Sequence, residues 1–341
     1  MELIDGLRDL ECHVCFFVGP QTTMSEMSTA ACIEQRDFET AKELVDFIRP
    51  SSENWEPLIE HAVGWVFRGQ RNAKWPLIPA AWRADAKPIL QPIMDRLRGD
   101  VAPMFQKWDE TNDLGCPLER AVEHRSHVEA EQYLAHQFLQ LADELGHPVP
   151  DKGSVELRMR CCPYRSTSGV FGPQPNTALA LAQHHRVPTR LLDWTRKSMV
   201  AAFFAADGAE SGSSLDDMAT HIAIWALNLN VTIPGLRRLT CPRHQFQFLH
   251  AQDGLFTYLD NAGDFHFIDS GSWPTIEEYL SRLEPRPPSP VLRKMTLPTD
   301  EAGSLLQLLW RERISSAHLM PTYDNVTAAI FRKLRWSAAG E

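Results

Sequence analysis

The residues best suited to chemistry lie close together in one stretch, 180–206, which reads ALAQHHRVPTRLLDWTRKSMVAAFFAA. It places His184, His185, Arg186, Arg190, Asp193, Trp194, Thr195 and Arg196 in a polar hinge between two apolar segments. A histidine can move a proton near neutral pH, and an arginine can hold phosphate or carboxylate through two parallel hydrogen bonds. A further arginine, Arg68, follows the apolar run 62–67 and precedes Gly69 and Gln70. The run fits a buried strand, and strand ends are common ligand positions.

Two chemistries fit this set. His184 or His185 as acid and base, with arginine on a phosphate, suits RNA cleavage without a metal. Arginine clamps with a nearby carboxylate suit binding of a nucleotide. A structural alternative stands beside both. Arg190 and Asp193 could form a buried ion pair that holds the hinge, with Trp194 in the core. Thr195 stands where an N-cap is expected, which would put Arg196 and Lys197 in the first helical turn. Cations there oppose the helix dipole, so propensity does not account for them.

The elements needed to position these residues can be read from hydrophobic spacing. Phe38, Ala41, Leu44, Val45 and Ile48 mark an amphipathic helix. The region 88–145 reads as helical, and turn formers over 147–176 read as a connector. Met199, Val200, Ala202, Phe203 and Phe204 give a buried helix face after the hinge. The segment 221–227, HIAIWAL, is the best strand, with Pro234-Gly235 as the following turn. In RHQFQFLHAQDGLFTY, residues 243–258, glutamines including Gln252 alternate with apolar residues; Gln252 and Phe256 suit hairpin packing. A short helix over 277–283, a strand over 291–297 and helices over 305–314 and 325–336 complete the chain. The pattern predicts an α+β fold: one domain over 36–336, with a small mixed or antiparallel sheet flanked by helices. Residues 1–35 are expected to be a loosely ordered appendage.

Composition narrows the function classes. A hydrophobic content of 43% with 23% charged residues is that of an ordinary globular protein. A net charge of −10 argues against coating nucleic acid by bulk electrostatics. It leaves room for a local cleft, because Arg68, Arg71, Arg83, Arg186, Arg190, Arg196, Arg237, Arg238 and Arg243 crowd the middle of an acidic chain. No run of 18 apolar residues suggests a membrane span, and acids near the N-terminus disfavour a signal peptide. A cytoplasmic location is expected. The seven cysteines then read as reduced thiols. Cys12, His13, Cys15 and Cys32 could make a zinc site, but plain thiols are the preferred reading and no metal is assigned. No GxGxxG or GxxxxGK[ST] pattern marks a Rossmann or P-loop site.

Three stretches together resemble the FRG domain family: FRGQ at 67–70 with the following Trp-Pro-Leu and Arg83, QHHRVPTRLLDWT at 183–195 with its Ala-Ala-Phe-Phe-Ala helix, and QDGLFT at 252–257. The resemblance covers about residues 40–330. It implies a bacterial or phage-associated intracellular protein and does not supply a mechanism. The order of strand, arginine, threonine, helix and late polar turn is also similar to the ADP-ribosyltransferase plan. That likeness implies NAD as cofactor, with Arg68, Thr195 and Gln252 as the catalytic set. Gly69, Gln70, His184, Arg190, Asp193 and Phe256 would line the cofactor cleft. The plan's late acid is replaced by Gln252, which cannot carry a negative charge, and Asp193 is the substitute carboxylate. The implied partners are NAD or another nucleotide, with nucleic acid or a protein as acceptor, in a toxin or phage-defence setting. A binding module without catalysis is the third alternative.

Overall fold

The computed structural model describes residues 32–55, 64–109, 117–150, 177–211, 219–241, 247–260, 262–266, 271–284 and 290–338. The chain runs β1 (Ile33–Asp37), α1 (Ala41–Ile48), β2 (Trp65–Gln70), α2 (Lys87–Asp109), α3 (Leu118–Glu144), α4 (Thr177–His184), β3 (Leu192–Thr195), α5 (Ser198–Ser211), β4 (His221–Asn228) and β5 (Leu236–Leu239). It continues through α6 (Gln247–Gln252), β6 (Gly254–Leu259), α7 (Ala262–Phe265), α8 (Ile276–Ser281), β7 (Leu292–Pro298), α9 (Ala302–Arg311), α10 (Ser316–Leu319) and α11 (Tyr323–Ala338).

The seven strands form one sheet in the order β1-β7-β4-β2-β3-β6-β5. Only β1 and β7 are parallel, with Ile33 opposite Leu292, and the other pairs are antiparallel. The fold is therefore α+β with a mixed sheet, as the hydrophobic pattern predicts. Strand β4 is buried on both faces, which is why its sequence reads as an almost unbroken apolar run. Ile222, Ile224 and Ala226 join α1, α5 and α9 in one core, while Ala223, Trp225 and Leu227 pack with Leu90 of α2, Ala130 of α3 and the loop that follows β2. The sheet is thus a middle layer between two sets of helices.

Several local expectations change. Helix α1 begins at Ala41, capped by the Thr40 hydroxyl, which accepts from the Glu43 amide at 3.3 Å. The residues just before it form β1, so ordered sheet structure reaches back across residue 35. Thr195 is not an N-cap. It ends β3, and α5 starts at Ser198, which leaves Arg196 and Lys197 in the connection ahead of the helix. The first turn of the helix itself therefore carries no cation, and Lys197 stands just ahead of it, its carbonyl accepting from the Val200 and Ala201 amides. The connector over 151–176 and the zinc candidates Cys12, His13 and Cys15 lie outside the described residues, whereas Cys32 is a buried free thiol.

Strand β2 is held against α5 at one point. A Cβ on Gly69 would lie 2.0 Å from the Ala201 carbonyl oxygen and 2.8 Å from the Ala205 amide nitrogen. The glycine is needed for contact between two backbones, not for an unusual dihedral. Alanines at 201 and 205 supply the flat surface that meets it, which gives a physical reason for the small residues of AAFFA. Gly69→Ala must push helix and strand apart and should cost about 3 kcal/mol in urea unfolding. Gly99→Ala in α2, where a Cβ meets nothing within 4 Å, should instead stabilise by about 0.5–1 kcal/mol. Equal effects of the two substitutions would contradict the close-approach account.

Candidate functional site

The ladder between β2 and β3 contains a single pair, Phe67 opposite Thr195. Next to that pair, the Arg68 side chain joins the strands. Its Nη1 donates to the Asp193 carbonyl oxygen at 2.9 Å and to the carboxylate Oδ1 at 2.5 Å. A guanidinium thus supplies a hydrogen bond where the backbone ladder ends. Asp193 also accepts from Gln183 Nε2 at 3.2 Å. Gln183 in turn accepts from the Thr189 hydroxyl, whose oxygen accepts from the Leu191 amide at 3.3 Å. The end of α4, the loop after it and β3 are tied together through this chain of bonds.

Arg83 approaches from the loop after β2. That loop is fixed at several points. Gln70 is buried, donates to the Pro76 carbonyl at 3.2 Å and accepts from Trp225 Nε1 at 2.8 Å. The Leu77 amide donates to the Glu277 carboxylate at 3.1 Å, and the Ala81 amide to the Thr189 carbonyl at 3.1 Å. Arg83 itself donates through Nε to the Ile78 carbonyl at 2.9 Å, and its terminal nitrogens have no partner among the described residues. Burial, and then the neighbouring Arg68 guanidinium, push Arg83 below the usual arginine value, while Asp193 opposes the shift.

The electrostatics centre on Asp193. Its side chain keeps 62% of its area open to water, against 13% for Arg68. The surrounding protein alone would push its carboxyl up, but the Arg68 charge and hydrogen bond outweigh this and hold it below the ordinary carboxylate range. His184 feels the same carboxylate. Burial and His185 keep it below the normal histidine value despite the opposing pull of Asp193, so it is neutral at pH 7. Arg68 Nε is buried and has no hydrogen-bond partner among the described residues.

Behind this cluster lies a buried polar support. Arg190 Nε donates to Glu131 of α3 at 3.0 Å, and Trp82 Nε1 donates to the other Glu131 oxygen at 3.1 Å. His127 Nδ1 lies 3.1 Å from Glu131, and His127 Nε2 meets the Ala81 carbonyl at 3.1 Å. Burial would raise the Glu131 carboxyl, yet Arg190 and His127 bring it down to about 2. Trp273 stacks on Trp82 at 4.7 Å and touches His124 and His266. This assembly grips the 80–83 turn between α3 and the loop before β3, and so sets where Arg83 stands.

The residues predicted from sequence are thereby divided. Arg68, His184 and Asp193 come together, and Arg83 joins them. The expected Arg190–Asp193 pair does not form: Arg190 is committed to Glu131, and Asp193 belongs to Arg68. Trp194 is core, as expected. Gly69 faces α5, and Gln70 is buried with both ends of its amide bonded. The Thr195 hydroxyl is buried, donating to the Gln252 carbonyl at 2.5 Å and accepting from the Lys197 amide at 3.0 Å. The Gln252 side chain donates to the Leu319 carbonyl at 3.4 Å, and Phe256 is buried beside Leu191 and Leu179. Arg83 was missed as a site residue. Its signals were its place in the arginine-rich middle of an acidic chain and in the first stretch of the FRG resemblance. Among the described residues no group of three or more histidines, cysteines or acids could hold a metal ion.

The family model for the FRG domain matches residues 63–213 of the chain. The matched span contains Arg68, Arg83, Gln183, His184 and Asp193. No curated protein and no solved structure matches the chain. No helix among the described residues is long and apolar enough to cross a membrane.

The support behind the cluster makes two predictions. Glu131→Ala removes the buried carboxylate that Arg190, Trp82 and His127 all meet and should cost about 3–5 kcal/mol in urea unfolding. A cost below 1 kcal/mol would show that the support is not needed. The second concerns pH. Burial, then the His266 charge, push His124 down to about 3, and burial, then His127, push His266 down to about 4. In the unfolded chain both take up a proton near pH 6.5, so the unfolded state binds more protons below that pH. Stability should fall as pH drops from 6.5 to 4.5, by up to roughly 1.4 kcal/mol per pH unit for each histidine. Urea midpoints measured across this range check it; His124→Asn should flatten the slope, and an unchanged slope would contradict the assignment.

Proposed function

We propose that the FRG domain of this chain binds a nucleotide through its phosphates in the cleft between Arg68 and Arg83, with NAD as the ligand and ADP-ribosyl transfer as the activity. The observation that carries this reading is an excess of donors. Arg68 pairs with Asp193 and Arg83 stands within the field of both, Arg68 Nε is buried and unsatisfied among the described residues, and the terminal nitrogens of Arg83 are unbonded there. A buried donor left without a partner costs about 1–3 kcal/mol, and an anion seated between the two arginines removes that cost. The planar fork of arginine suits phosphate oxygens.

The residues fit NAD in a particular way. Arg68 and Arg83 would hold the pyrophosphate, and Asp193 would accept from a ribose hydroxyl on its open side. NAD would supply an activated ADP-ribosyl group. The ADP-ribosyltransferase plan assigns the ribose to Thr195 and Gln252, but the Thr195 hydroxyl already bonds the Gln252 backbone. Asp193 takes that place in this proposal, and it also brings the carboxylate that Gln252 lacks. Transfer to a protein or nucleic acid would suit the toxin or phage-defence setting that the family resemblance implies. Calorimetric titration with NAD and with ADP tests the binding. Arg83→Ala should weaken both by tenfold or more, since charge-assisted bonds contribute about 1.5–3 kcal/mol each. Nicotinamide release should disappear in Asp193→Asn. Equal binding by wild type and Arg83→Ala, or no binding of either nucleotide, would overturn the proposal.

One observation favours a second reading. Burial and His185 hold His184 below the normal histidine value, and it lies within the field of Asp193. It could take a proton from a ribose 2′-hydroxyl of RNA. That reading requires RNA breakage without NAD, abolished in His184→Ala.

A further inference from the structure

Helix α11 is amphipathic in an unusual sense, because it is apolar on the side turned away from the protein. Its inner face is secured. Ala329 is buried, Arg332 pairs with Asp207 of α5 at 2.6 Å and with Glu210 at 3.2 Å, and Trp336 meets Trp310 edge-on at 6.0 Å. On the outer face, exposure is 93% for Tyr323, 43% for Val326, 51% for Ile330, 60% for Phe331 and 59% for Leu334. At roughly 100° per residue these five fall in one stripe opposite Ala329 and Arg332. They are the largest group among the exposed large hydrophobic residues described, and all lie on one helix.

We infer that this stripe is the interface of a homodimer, in which α11 packs antiparallel against α11 of a second copy about a two-fold axis. Two features of the helix select a second copy as the occupant. The first is area. The five side chains leave about 550 Å² open per copy, from typical side-chain areas of 150–250 Å² for the aromatics and somewhat less for the aliphatics, so pairing buries about 1,100 Å². That passes the ~1,000 Å² expected of a specific interface, and about 550 Å² on one copy is at the upper end of what a monomer usually leaves bare.

The second feature is charge. Asp324 and Arg335 lie along the same edge of the stripe, one near each end, and neither has an ion-pair partner among the described residues. In an antiparallel pair the same edges of two helices face each other. Asp324 of each copy then meets Arg335 of the other, with the axis near Ala329 and Ile330, which is also the middle of the apolar stripe. A parallel arrangement brings the acidic ends together and the basic ends together. The helix is therefore complementary to itself in one orientation only.

Sedimentation velocity of the full chain over a range of concentrations tests the inference, with circular dichroism confirming the fold of each variant. Wild type should form a dimer at micromolar concentration. Ile330→Glu, an exposed position in a helix that keeps its inner contacts, should be folded and monomeric. Asp324→Arg and Arg335→Asp should each weaken the dimer severalfold, and the double exchange should restore it. A wild-type monomer at all concentrations would overturn the inference, whether the stripe is then covered by residues 1–31 or by another protein. A dimer indifferent to Ile330→Glu, or a double exchange that fails to restore association, would overturn the proposed packing.

Discussion

The hydrogen bonds from Arg68 to Asp193 are the contact on which the site depends. Two strands share one ladder pair, and a charged side chain joins them next to it. A surface ion pair contributes about 0–1 kcal/mol and would not hold such a junction. This pair differs because the guanidinium is largely buried and also bonds the backbone carbonyl, so it sets the path of β3 as well as neutralising a charge. The carboxylate stays open to water on its other side. A residue that helps to build the sheet thereby keeps an exposed carboxylate face.

Everything around the pair serves to keep it in place. Gly69 lets α5 rest on the backbone next to Arg68, which fixes the height of β2 in the sheet. Gln70, one residue further, ties the following loop to Trp225. The Glu131–Arg190 pair and the stacked Trp82 and Trp273 then hold the turn that carries Arg83. Arginine and glycine in FRG thus have separate physical tasks: one bridges strands by bonding Asp193, the other allows helix and strand to touch.

Much of the fold was legible because burial leaves periodic traces. The helix face of 38–48, the apolar run of β4 and the strand over 291–297 are plain in the sequence. Strands β1 and β5 were not, since IEQRD and LRRL are polar edge strands identified only by their partners. Of the site, Arg68, His184 and Asp193 were legible from residue type and their place beside apolar elements. Their pairing was not. Arg190 and Asp193 are three residues apart and look like partners, but Arg190 lies ahead of β3 and is taken by Glu131, 59 positions away, whereas Asp193 lies within β3 and pairs with Arg68. Thr195 looked like a cap because a helix does follow, and spacing alone cannot show that a strand ends on it. Arg83 was hidden for a related reason, as its position depends on contacts with α3 and with Thr189 that are distant in sequence.

The most direct measurement of the central claim is a crystal structure of the chain with bound ADP. The account predicts a phosphate between Arg68 and Arg83, bonded to Arg68 Nε and to the terminal nitrogens of Arg83, with the strand junction intact. A nucleotide bound elsewhere, or phosphates that touch neither arginine, would contradict it.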